Sequence, residues 1–181
     1  MAASSTGGWA VLMLFLIPIG GGIPPGVLLA KARGLPWPET AFLYFVSDVI
    51  LALVFEPLLL LALAAGRGNP RLTRAAEAMR LSLERVAALY GNSGGPFTLI
   101  LIAFGADPMT GRVAASAAGH GFVSGWALAI AGDMLYFAVI MAATLWLKSL
   151  IGSGVAAALI VLAAMVVVPL LIRRWRERGA V

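Results

Sequence analysis

The chain has 181 residues, 61% of them hydrophobic and only 12% charged, and its mean hydropathy is +0.98. A soluble domain of this length needs far more polar surface to cover its core, so the composition points to an integral, polytopic membrane protein. With no cysteine and a single histidine, His120, disulfides, thiolate nucleophiles and cysteine- or multi-histidine metal centres are excluded, and no cofactor is implied.

The N-terminal stretch "MAASSTGGWAVLMLFLIPIGGGIPP" lacks the basic region and small-residue cleavage site of a signal peptide and reads as mature structure. The first half of the chain, residues 8–66, then has a regular order. An apolar leg, "WAVLMLFLIP", is interrupted by a Gly/Pro loop with Gly20, Gly21, Gly22, Pro24 and Pro25. A second leg, "GVLLAKARG", and a turn, "LPWP", lead to an apolar helix predicted over 39–66.

Residues 69–90 predict an amphipathic linker helix, with Asn69 as N-cap and Pro70 at the first helical position. Leu72, Ala76, Met79, Leu83 and Val86 form its apolar face, while Arg71, Arg74, Arg80 and Arg85 fill the remaining arc. Basic clusters flanking membrane segments mark the cytoplasmic side, so the linker and the tail, 173–181, are expected there. Their arginines suit anionic lipid headgroups, not nucleic acid. The location expected is the cell inner (plasma) membrane.

The second half, 86–148, repeats the order: "VAALY", a loop with Gly91, Asn92, Ser93, Gly94, Gly95 and Pro96, then "FTLILIAFG", a turn "ADPMTG" and a long helix over 113–147. A last apolar helix is predicted over 150–172. Pro25 and Gly34 match Pro96 and Gly105 at an offset of 71, and one further residue in the second turn sets Asp48 opposite His120. A leg of ten residues spans about 15 Å, half the hydrocarbon core, so each pair of legs reads as a re-entrant hairpin. Irregular backbone at that depth must be buried in protein or line a wet cavity. With the linker cytoplasmic, the first hairpin enters from outside and the second from inside. The fold expected is all-α, with two inverted repeats, each a re-entrant hairpin plus a long transmembrane helix, and a C-terminal transmembrane helix. A full crossing by residues 9–30 is the alternative. Broken segments in inverted halves are the sequence mark of an alternating-access transport site.

Four ionisable residues fall inside the predicted long helices: Asp48, Glu56, His120 and Asp133. A carboxylate at the bilayer centre costs about 2.5–3.5 kcal/mol on insertion scales, so such residues face a bundle interior or water. Asp48 and Glu56 are separated by about 80° around a helix and could share a cavity. Ser116, His120 and Ser124 make an i, i+4, i+8 polar stripe, and Asp133, about 220° from His120, faces elsewhere. The acidic set suggests a proton or a cation as the transported charge, with Asp48 and His120 as the leading pair.

The segments "GGGIPPGVLLAKARGLPWPETAFLYFVSD" and "GGPFTLILIAFGADPMTGRVAASAAGHGFVSGW" resemble the paired segments of the small multidrug export protein family, related to the DedA (VTT-domain) superfamily. The resemblance covers residues 15–150. It implies two re-entrant hairpins facing each other, each followed by a membrane helix, and a role in moving solutes or lipids. DedA proteins carry an arginine just after the second loop glycine, where this chain has Phe97. That departure favours small cationic or amphipathic compounds over phosphate lipids.

The function expected is therefore proton-coupled export, with membrane lipids, protons and a small-molecule substrate as partners, and a homodimer possible. A DedA-like lipid flippase, using Arg33 or Arg112, is the alternative. A remoter one rests on "GNSG", which resembles the GxSG pattern of rhomboid intramembrane proteases and would pair Ser93 with His120.

Overall fold

A computed structural model describes residues 3–17, 22–66, 95–105 and 108–178. These form seven α-helices and, among the described residues, no strand: α1 (Ala3–Phe15), α2 (Ile23–Ala32), α3 (Trp37–Gly66), α4 (Pro96–Gly105), α5 (Pro108–Ala117), α6 (Phe122–Ile151) and α7 (Gly154–Arg178). The all-helical expectation is met. Among the described residues, two helices are long and apolar enough to cross a membrane, α3 over Trp37–Leu58 and α6 over Phe122–Ile151. The last helix, α7 over Gly154–Arg178, overlaps the helix expected over 150–172. Gly20, Gly21, Gly91, Asn92, Ser93, Gly94 and the linker helix over 69–90 lie outside the described residues.

The long helix expected over 113–147 is two helices. α5 ends at Ala117 and α6 starts at Phe122, with His120 in the connection. Gly119, at φ +87°, adopts the left-handed conformation that ends helices, its N–H bonding the Ser116 carbonyl (3.0 Å) while the His120 N–H bonds the Ala115 carbonyl (2.9 Å). The i, i+4, i+8 stripe is thereby corrected: Ser116 belongs to α5, Ser124 to α6, and His120 to neither. The same closure ends α2, where Gly34 at φ +72° bonds the Lys31 carbonyl and the Leu35 N–H bonds that of Ala30.

The turn expected over "ADPMTG" is also shorter than the sequence suggests, because Pro108 opens α5 at a position where the missing N–H costs no helical bond. In α2, Pro24 and Pro25 likewise sit in the first turn, behind Gly22 as N-cap. Gly95 and Pro96 open α4, the Gly95 carbonyl accepting the Leu99 N–H. The offset of 71 is not the one the helices keep. α2 and α5 have ten residues each and α3 and α6 thirty each, and each helix of the second pair begins and ends 85 positions after its counterpart in the first.

The chain divides into two compact units, Met1–Leu43 with Ala138–Val181, and Tyr44–Phe137; α3 and α6 contribute residues to both. In the first unit α1 packs on α2, and α2 on α7. Gly26 lacks a side chain where the Phe15 ring seats, and Gly154 meets Leu28. In the second unit α4 packs on α5 through Leu99, Ile102, Ala114 and Ala115. Gly132 of α6 lies against the backbone of α4, where a Cβ would strike the Ile100 carbonyl and Ala103. This second unit contains every buried ionisable side chain of the described residues.

Candidate functional site: two buried polar clusters

The first cluster joins α3 to α6. Tyr44 and Asp48 are one turn apart on α3, as Asp133 and Phe137 are on α6, so each helix presents a carboxyl and a ring on one face. The Tyr44 hydroxyl donates to Asp133 Oδ2 at 2.7 Å, and its ring stacks on Phe137 with centroids 4.3 Å apart. The carboxyl of Asp48 lies near that of Asp133, within electrostatic reach. Asp48 Oδ2 is buried without a partner, and Asp48 and Asp133 are 2% and 5% exposed. Two carboxyl groups buried side by side repel when both are ionised, and a proton on one of them removes the repulsion. The cluster therefore places two acids side by side, with a phenol donating to one of them.

The second cluster joins three helices. Glu56 of α3 accepts two guanidinium N–H groups of Arg112 on α5, Nε at 2.9 Å and Nη2 at 2.5 Å, and also the indole N–H of Trp126 on α6 at 2.9 Å. The two-pronged geometry is the strongest form of this ion pair, and both side chains are buried. Arg112 Nη1 is buried without a hydrogen-bond partner. Gly125 leaves the space that the guanidinium fills, since a Cβ there would lie 3.0 Å from Nη1. Phe55 packs edge-on against the Trp126 ring at 6.0 Å.

The sequence-predicted residues thus sort differently from expectation. Asp48 pairs with Asp133, the residue expected to face elsewhere. His120 lies in the α5–α6 connection, half-buried, outside both long helices. Glu56 does not join Asp48; it has its own cation and its own indole. Tyr44 and Trp126 were not anticipated, and Arg112 was anticipated only as a headgroup contact. The available signals were the i, i+4 spacing of Tyr44 and Asp48, and an arginine set among Gly111, Ala114 and Ala115, small residues that allow close helix packing. No three His, Cys, Asp or Glu side chains among the described residues converge as a metal site. No family model matches this chain, and no curated protein or solved structure matches it.

Proposed function

We propose that this chain is a multi-pass membrane carrier that exchanges protons for small cationic or amphipathic compounds, as the resemblance to small multidrug export proteins implies. The observation that carries this reading is the Asp48–Asp133 carboxyl pair, buried at matching depths of the two long apolar helices. Large exposed apolar side chains on those helices, Leu53, Val54, Leu135 and Val139 among them, suit a lipid surround. In such surroundings a proton shared by two acids is replaceable by a cation, which is the exchange a coupled carrier needs.

The 85-residue spacing supports an internal repeat of α2–α3 and α5–α6, with Asp133 the counterpart of Asp48. Equivalent residues of two copies meet each other at a two-fold relation, and a carrier site placed there serves both repeats alike. The second cluster breaks the register: Glu56, Arg112 and Trp126 correspond to Met141, Val27 and Ala41, all apolar. The ion pair thus joins one repeat to the other, and the counterpart positions Met141 and Val27 dispense with it. Because two Arg112 N–H groups are held by Glu56, the guanidinium is poorly placed to grip a lipid phosphate, which favours export of cations over lipid flipping. Ser93, needed for the protease alternative, lies outside the described residues.

The test is transport in proteoliposomes with an imposed pH gradient and ethidium as the reporter cation. Wild-type protein is expected to move ethidium in proportion to the gradient, and Asp48→Asn to lose at least nine-tenths of that gradient-driven flux. Undiminished flux in Asp48→Asn would remove the carboxyl pair from the mechanism.

A further inference from the structure

An apolar groove runs between the α3 and α6 segments of the second unit. It has a volume of about 460 Å³, is open along one side, and is lined by residues that include Phe45, Val49, Leu53, Phe122, Trp126 and Ile130. Every lining side chain is apolar, and the only N–H among them, the Trp126 indole, is turned away to Glu56. The groove therefore recognises its occupant by shape and aromatic contact, not by hydrogen bonds.

Two features fix the occupant's class. The volume falls in the range of about 300–1,000 Å³ that suits a drug-sized molecule, whereas a packed helix needs a much longer furrow. Charge supplies the second. Asp48 lies one helical turn from both Phe45 and Ala52 of the lining, and Asp133 one turn from Ile130, so the carboxyl pair belongs to the same turns that wall the groove. The lining itself has no cation, and three aromatic rings stand along it, a surface suited to a diffuse positive charge.

We propose that this groove binds the aromatic body of an amphipathic organic cation, with the charge directed toward the Asp48–Asp133 pair. The assignment rests on the carrier reading and places its substrate site. Ala127 and Ala131 line the exposed side of the groove, where a larger side chain would fill the space without entering the core.

The absence of cysteine makes the test clean, because Ala127→Cys creates a unique thiol for a bimane fluorophore. The labelled protein in nanodiscs is titrated with tetraphenylphosphonium, with its anionic isostere tetraphenylborate, and with dodecyltrimethylammonium. Leu135→Cys, on α6 but outside the groove lining, is the control. The expected result is a saturable change with tetraphenylphosphonium at position 127 and none at 135. Adding Ala131→Phe should weaken it at least tenfold, and tetraphenylborate should bind at least tenfold more weakly. Equal responses at 127 and 135, indifference to Ala131→Phe, or equal binding of tetraphenylborate would overturn the proposal. Preference for dodecyltrimethylammonium would assign the groove to a lipid chain. A bimane change that follows protein density without any probe would assign it to a second copy of the chain, and either result also overturns the proposal. If Ala131→Phe abolishes probe binding yet gradient-driven ethidium flux persists, the groove is not the carrier's substrate site and the carrier stands. Intact binding with no flux in wild type would mean the reverse.

Discussion

Glu56 receives three donors from two other helices, while Asp48 keeps one oxygen without a partner. That contrast separates a locked charge from an available one. Removing one member of a buried ion pair leaves the other uncompensated and costs about 3–5 kcal/mol, while replacing both by apolar residues is often neutral. Arg112→Met alone should therefore lower stability by about 3–5 kcal/mol in detergent unfolding. Glu56→Met with Arg112→Met should recover at least half of the loss, because the counterpart positions Met141 and Val27 are already apolar. A double variant as unstable as the single one would show that the ion pair itself is required. Asp48→Asn, in contrast, keeps hydrogen-bonding capacity with one charge fewer and should fold as well as wild type. The residues at stake were partly legible: an acid inside an apolar run stands out in any sequence. Which acid meets which did not, because the pairing depends on where α6 begins, and a left-handed glycine sets that.

At the level of helices, small residues decide how closely α4, α5 and α6 approach. Gly132 sits against the α4 backbone and Gly111 against Ala103, whereas Gly121 has nothing within 4 Å of its would-be side chain. Overpacking a tight site costs about 1–3 kcal/mol, so Gly132→Val should lower the unfolding midpoint clearly. Gly121→Ala should change stability by less than about 0.5 kcal/mol. Equal effects from the two would contradict the close approach of α4 and α6. The sequence signals for these helices were uneven. Apolar runs of thirty residues announce α3 and α6 in outline, but Gly119 and Gly121 read equally well as packing residues within one longer helix. Only the closing hydrogen bonds of α5 tell the two apart. The same ambiguity hid the spacing of the helices, since Pro25 and Gly34 find partners at an offset of 71 although the ends of α2 and α3 lie 85 positions before those of α5 and α6.

For the whole molecule, the proposed topology places the 69–90 linker in the cytoplasm and the α6–α7 connection outside. In a chain without cysteine, Ser82→Cys should react with a membrane-impermeant maleimide only after permeabilisation, and Ser153→Cys should react in intact cells. Labelling of both from the same side would require a different number of crossings. Composition made the long apolar helices legible, because 61% of the residues are hydrophobic and only 12% charged. The groove was less so, since it is assembled from α3 and α6, from residues some eighty positions apart. Proton–cation exchange at the carboxyl pair is tested most directly by counting protons as a cation binds. Purified protein in weakly buffered detergent solution is titrated with tetraphenylphosphonium while the pH is recorded. About one proton should leave per cation bound in wild type, and none in Asp48→Asn or Asp133→Asn. Cation binding with no proton release in wild type, or unchanged release in both variants, would contradict exchange at this pair.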